Sequence, residues 1–215
     1  FNPFRGGLYT GSELMHGYER SAHQSFAETL DGKIYEHYQH SDQANVLDTL
    51  YQRLHDHAID DAVSSLLSNG RKHKTVGIMG GHSLTRDDDD FTLIAETAWR
   101  LTQAGYFIST GGGPGAMEAG NLGAYLSERP IEDLKAAIEL LKTAPTYRSP
   151  GWFDTALEVL DRHPDGAESL GVPTWFYGHE PSNLFASHIA KYFANSVRED
   201  GLLAISQGGI IYAKG

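Results

Sequence analysis

The chain has no cysteine, which excludes disulfide staples and thiolate chemistry and fits a reducing, cytoplasmic setting. It also lacks any uninterrupted apolar stretch approaching the ~20 residues that a membrane helix needs, and its mean hydropathy is -0.38. No partner membrane is therefore expected. Positive charge is scarce: 17 lysines and arginines face 28 aspartates and glutamates, a formal charge of -11. That balance argues against a generic grip on nucleic acid, which requires basic surface to displace counterions. Neither a signal-peptide pattern nor an internal repeat of solenoid period is visible. The opening on Phe1 rather than Met reads as a portion of a longer product.

What is present is glycine, placed where strands end. Thr110 to Glu118 reads Thr-Gly-Gly-Gly-Pro-Gly-Ala-Met-Glu; it follows the apolar run Tyr106-Phe107-Ile108 and opens a helix-like segment ending near Leu126. Without a β-carbon, Gly111, Gly112, Gly113 and Gly115 let backbone N–H groups close on an anion. The helix start adds unpaired donors and the positive end of its dipole. A second turn, Gly80-Gly81-His82-Ser83, follows the strand-like run Thr75–Met79, and a third apolar run, Gly209–Tyr212, leads to Lys214-Gly215, where another turn is expected to begin. A small anionic ligand can be held this way inside an acidic protein, by backbone donors and one or two arginines.

At 215 residues the chain has room for one sizeable core plus an appendage, on a prior of roughly 100–200 residues per domain. Residues 1–73 carry no alternation of strand and glycine. Their best-patterned part is Val46 to Leu67, with apolar residues at near-helical spacing and Asn69-Gly70 as a stop, so this region is expected to form a helical extension. From 74 onward the pattern predicts strand 75–79, helix from about Phe91 to Ala104, strand 106–109 and helix Ala116 to Leu126. An insertion over 128–170 then interrupts it with two helical pieces, Ile131–Lys142 and Trp152–Asp161, lying over one edge of the site. Strand 172–177, a helix from about Ser182 to Ala204 and strand 209–212 complete the series. Such alternation predicts a Rossmann-like α/β fold, a parallel sheet with helices on both faces and ligands at the carboxyl ends of the strands.

The glycine turn satisfies the loose dinucleotide pattern G-x-G-x-x-A. Two features count against NAD: the turn follows the second strand of the sheet, and no acidic residue at a strand end lies about twenty residues on to hold a ribose. The plain alternative is a tight packing turn with no ligand, although three glycines and a proline before a helix exceed what packing requires. In the loop 80–90, the run Asp87-Asp88-Asp89-Asp90 reads as the N-cap and first turn of the next helix rather than a metal site, while His82 and Ser83 stand at the strand end, where a ligand would lie. Gly178-His179-Glu180-Pro181-Ser182-Asn183 reads equally as a capped helix start, with Ser182 or Asn183 as cap, or as a ligand-facing loop. His55 and His57 at i, i+2 on a helix point apart, and His16, His23, His37 and His40 fall in a poorly patterned region, so the histidines read as surface residues. On pattern alone Arg198 reads as solvent-facing and paired with Glu199 or Asp200.

Taken together, these residues resemble the cytokinin-activating phosphoribohydrolases, the "lonely guy" family often mislabelled lysine decarboxylases. The likeness is greatest to its longer bacterial relatives, which hydrolyse purine and pyrimidine nucleoside monophosphates. It spans about Thr75 to Gly215 without the insertion. It is carried by Gly80-Gly81-His82-Ser83 at the family's first nucleotide-contacting turn, by Gly111 to Met117 at its triple-glycine motif, and by Gly178 to Asn183 at the loop after the third strand. The resemblance implies that Gly80, Gly81, His82, Ser83, Gly111, Gly112, Gly113, Gly115, Met117, His179, Glu180, Asn183 and Gly215 bind the nucleotide. It implies that Arg198 is catalytic. The family's strand followed by P-G-G-x-G-T-x-x-E, with its catalytic glutamate, corresponds to Ile210-Ile211-Tyr212-Ala213, with Lys214 where Pro is usual and Gly215 as first glycine. The implied activity is hydrolysis of the N-glycosidic bond of a nucleoside 5′-monophosphate such as AMP, without a metal or redox cofactor, in a protein that is at least a homodimer. The rival is a non-catalytic nucleotide-binding or sensor module; a DNA-processing protein on a related scaffold is disfavoured by the acidic balance.

Overall fold

The computed structural model describes residues 1–20, 25–40, 45–177 and 180–213. The N-terminal part is helical: α1 (Gly11–Leu14), α2 (Ser25–Glu28), α3 (Leu30–His40) and α4 (Val46–Leu66). Strand and helix then alternate: β1 (Thr75–Met79), α5 (Asp89–Gln103), β2 (Phe107–Thr110) and α6 (Ala116–Tyr125). After them come α7 (Ile131–Leu141), α8 (Trp152–Arg162), β3 (Ser169–Gly171), β4 (His188–Ile189), α9 (Asn195–Ile205) and β5 (Gly209–Tyr212). The strands form one parallel sheet in the order β4-β3-β2-β1-β5. The chain therefore walks from β1 to one edge and returns to the far side of β1. That reversal puts a switch point between β1 and β5, the position at which open α/β sheets collect ligand-binding loops.

The two-residue period of the strands divides the core. Val76, Ile78 and Ile108 enter a layer filled by Phe91, Ile94 and Ala95 of α5, Leu122 of α6 and Leu134 of α7. Phe107, Leu170 and Ile189 enter the opposite layer, with Ile59 and Val63 of α4, Trp175, Phe193 and Leu202 of α9. Helices thus cover both faces of the sheet, a Rossmann-like α/β arrangement. The start of α5 is set by Asp88, whose carboxylate accepts the Asp90 N–H at 2.8 Å, so the aspartate run acts as cap and first turn. Along α6, Gly120 and Gly123 face neighbours at close range: a β-carbon at Gly123 would stand 2.0 Å from the Ala95 carbonyl oxygen of α5.

Two strand and helix expectations are corrected. The strand expected over 172–177 forms at Ser169–Gly171, so the last residues of the insertion supply a strand between β2 and β4. The Val172 N–H still donates to Thr110 O at 2.9 Å, but Pro173 has no N–H to continue the ladder, and Thr174 bridges to Tyr192 instead. The helix expected from Ser182 begins only at Asn195. Over 182–194 the backbone is spent elsewhere: Asn183 N–H on Gly112 O, Ala190 N–H on Gly171 O, and Ile189 in a two-way pairing with Tyr9 that closes the β4 edge.

The N-terminal helices are held to this same stretch by buried polar groups. Asp56 accepts the Phe193 and Ala194 N–H groups at 3.0 and 2.9 Å, fixing the two residues that lead into α9, and Asp60 accepts the Tyr192 hydroxyl at 2.8 Å. Burial, reinforced by that carboxylate, pushes the Tyr192 phenol well above its ordinary range. His55 is fully buried between the Tyr9 hydroxyl at 2.9 Å and Asp56 at 3.2 Å. It is not the surface residue that the pattern suggested, because it lies on the apolar face of α4. His16, His37, His40 and His57 are exposed, and His23 lies outside the described residues.

The α5–α6 contact makes a prediction in which two effects oppose each other. Helix propensity favours Ala over Gly by about 1 kcal/mol, yet the β-carbon of Gly123→Ala meets backbone that cannot rotate away. Packing is expected to win, with a net loss of about 1–3 kcal/mol in urea unfolding. A stabilised variant would contradict the helix contact.

Candidate functional site

Two glycine turns meet at the carboxyl ends of β1 and β2. The Ala116 N–H at the start of α6 donates to Gly81 O at 3.2 Å. A β-carbon at Gly115 would stand 2.6 Å from that oxygen, and one at Gly80 would stand 2.5 Å from the Ala116 β-carbon. Gly112 and Gly115 adopt φ of +74° and +71°, conformations that side-chain-bearing residues rarely tolerate. The result is a buried loop from Gly111 to Gly115 that leads into α6. Among the described residues, the Gly113 and Gly115 N–H groups have no acceptor. They are buried donors at a helix start, the arrangement that receives an anion.

A polar network fixes this shape from beneath. The Thr110 hydroxyl accepts the Gly112 N–H at 3.0 Å and donates to Asn121 Oδ1 at 2.6 Å. The Asn183 carboxamide donates to Gly113 O at 3.1 Å and to Asn121 Oδ1 at 3.0 Å, while its backbone N–H donates to Gly112 O at 2.9 Å. Its own Oδ1 accepts the Phe185 and Ala186 N–H groups. Asn183 is thus completely buried and fully bonded; it shapes the turn rather than facing a ligand. Met117 is also buried, its sulfur packed under Gly111.

Arg198 comes from α9 and lies against the triple glycine. Its Nε donates to Val172 O at 2.7 Å and its Nη2 to Gly111 O at 3.2 Å. A β-carbon at Gly111 would stand 2.5 Å from Nη2. The solvent-facing pairing with Glu199 or Asp200 is not formed: carbonyl oxygens take two of the donors, and among the described residues no carboxylate reaches ion-pair distance. Burial lowers the Arg198 pKa from its ordinary value, against the opposing pull of Glu199, Tyr177 and Glu180. Glu180 crosses the mouth of the loop, with Oε1 2.9 Å from His82 Nδ1 and Oε2 3.6 Å from where a Gly113 β-carbon would be. Gly80, Gly81, His82, the four turn glycines, Glu180 and Arg198 therefore converge. Ser83 is exposed beside them, on a cavity of about 200 Å³ that the insertion walls with Tyr147, Arg148 and Trp152. His179 and Gly215 lie outside the described residues.

Sequence reasoning missed the pair that holds this wall in place. Arg86 is buried and grips Glu118 with Nε to Oε2 at 3.0 Å and Nη2 to Oε1 at 2.5 Å. Its Nη1 reaches Ala144 O, Trp152 O and the Thr155 hydroxyl, and its N–H donates to Pro145 O. Asp31 and Lys191 were missed as well: Lys191 Nζ lies 2.8 Å from Asp31 Oδ1 and 3.0 Å from Ser182 Oγ, and Trp175 Nε1 donates to the same carboxylate at 2.8 Å. The available signal was a charged residue inside a run of small ones, as Glu118 is in Ala-Met-Glu-Ala-Gly. Among the described residues no helix is long and apolar enough to cross a membrane, and no group of three His, Asp or Glu could hold a metal ion. The chain matches no protein-family model and no curated protein.

Removing one partner of the Arg86–Glu118 pair strands the other charge in the core. Arg86→Ala is expected to lose about 3–5 kcal/mol in denaturant unfolding, whereas Arg86→Met combined with Glu118→Leu recovers most of it. A loss below about 1 kcal/mol for the single variant would contradict a buried, mutually dependent pair.

Proposed function

We propose that this protein binds a nucleoside 5′-monophosphate such as AMP and hydrolyses its N-glycosidic bond to free base and ribose 5-phosphate. The observation that carries the reading is that, among the described residues, the buried N–H groups of Gly113 and Gly115 find no acceptor and the remaining donors of the neighbouring Arg198 guanidinium meet no carboxylate. A 5′-phosphate is the group that such donors suit.

In the reaction, water adds at the anomeric carbon, the carbon–nitrogen bond breaks, and its electron pair leaves with the base, which takes up a proton. Positive charge builds on the ribose meanwhile, so a nearby carboxylate stabilises the transition state. The family resemblance assigns that role to the glutamate of the family's P-G-G-x-G-T-x-x-E motif. Glu180 supplies a second acidic group at the mouth of the loop, suited to ribose hydroxyls, while Arg198 steers the phosphate and ribose. The resemblance also supports assembly as at least a homodimer.

Arg198→Ala in the full-length protein is expected to lower release of free base from AMP by at least about tenfold, equal to about 1.4 kcal/mol of transition-state stabilisation. Nucleotide binding that persists in the variant while base release falls assigns Arg198 to catalysis. Equal turnover in wild type and variant removes it from the mechanism. Binding of AMP by the wild type without any base release favours the non-catalytic nucleotide-binding module.

A further inference from the structure

The insertion adds to the glycine turns a wall whose chemistry differs from theirs. The cavity between them is bounded on one side by His82, Ser83 and Gly115 and on the other by Tyr147, Arg148 and Trp152. Its insertion-derived wall combines Pro145, Thr146 and Arg148 with two aromatic rings, Tyr147 and Trp152. The Tyr147 ring stands edge-on to His82 with centroids 6.2 Å apart, and Arg148 Cζ lies 5.3 Å from the Tyr147 ring centroid. Among the described residues Arg148 makes no ion pair, and it is exposed at the cavity mouth. The wall is not a loose loop. Arg86 bonds it at Pro145, Ala144, Trp152 and Thr155 and is itself clamped to Glu118 in the first turn of α6.

From this geometry we infer that the cavity is the base subsite of the proposed nucleotide site and that Arg148 selects 6-oxopurine nucleotides, GMP and IMP, over AMP. The inference rests on the nucleotide reading above. With the 5′-phosphate on the N–H groups of Gly113 and Gly115, the cavity opens directly beside Gly115, so the other end of a mononucleotide has a place to lie. A flat heterocycle matches an aromatic wall, which gains stacking and apolar contact from any base. Discrimination comes from the guanidinium. It carries donors only, and its fork fits the paired acceptors O6 and N7 of a 6-oxopurine. Adenine offers N7 beside an amino group that is itself a donor, so one arm of the fork meets a like partner. Pyrimidines lack N7 altogether. Arg148 is a specificity-determining residue in this account and takes no part in bond cleavage.

The test is calorimetric binding of GMP, AMP and ribose 5-phosphate to the full-length protein and to Arg148→Ala, Arg148→Lys and Tyr147→Ala. Wild type is expected to bind GMP about tenfold more tightly than AMP, the discrimination typical of one bidentate arginine contact. Arg148→Ala is expected to erase that preference and Arg148→Lys to erase most of it, because a point charge cannot reproduce the fork. Tyr147→Ala is expected to weaken both nucleotides. Ribose 5-phosphate, which has no base, is expected to bind all four proteins alike. Equal affinity of wild type for GMP and AMP overturns the selectivity. Equal weakening of ribose 5-phosphate and nucleotides in Arg148→Ala overturns the base subsite, since the cavity would then hold the phosphate. Failure of the wild type to bind any of the three ligands sinks the nucleotide reading itself, and this inference with it.

Discussion

The candidate site depends on one buried carboxamide. Asn183 holds the carbonyl of Gly113 with its side chain and the carbonyl of Gly112 with its backbone, and Asn121 ties it to Thr110 at the end of β2. With the Gly112 and Gly113 carbonyls held by Asn183, the Gly113 N–H is left on the opposite side of the turn. A trans peptide sets its C=O and N–H on opposite sides, so fixing the Gly112 carbonyl decides where the Gly113 donor points. The direction of that donor thus follows from a polar contact made on the other side of the turn. The glycines permit the conformation; the asparagines select it.

An acidic chain that is to hold an anion must keep its carboxylates from competing for the cations. Here most of the charges near the site are spent on structure. Arg86 is consumed by Glu118, Lys191 by Asp31, and Asp56 by two backbone N–H groups. Each of these contacts also joins a peripheral segment to the sheet: the insertion, α3 and α4 respectively. Such pairs are costly to break singly and contribute little net stability when intact, so their visible role is positional. Arg198 differs from them. Its two bonds go to neutral carbonyl oxygens, so among the described residues its charge is offset only at longer range, by Glu199 and Glu180, and burial makes an anion a favourable partner.

Much of the fold was legible because it is written in short-range signals. The helices from Val46, Asp89, Ala116, Ile131 and Trp152 formed within a residue or two of expectation, and the aspartate run capped α5 as its chemistry suggested. The errors share a cause. β3 and the stretch from Ser182 to Ala194 are shaped by partners far away in sequence: Thr110, Gly112 and Tyr9. Apolar patterning cannot distinguish a helix from a buried irregular segment in such a place. The glycine turns and His82 were legible as strand-end residues, whereas Glu180 follows a strand that ends at Gly171, well before it. The interior placement of Asn183 was not legible, since a cap and a buried clamp use the same residue type. His55 misled for a similar reason: spacing described its neighbours on α4, whereas Tyr9 and Asp56 decided its environment.

The central claim is that the donors of the glycine turn receive a phosphate. Backbone amide resonances of the full-length protein report this directly when AMP is titrated in. Saturable shifts are expected at the Gly113 and Gly115 amides, with His82 moving beside them and α4 unaffected. Shifts confined to another surface, or none at these two glycines at millimolar nucleotide, would contradict that claim.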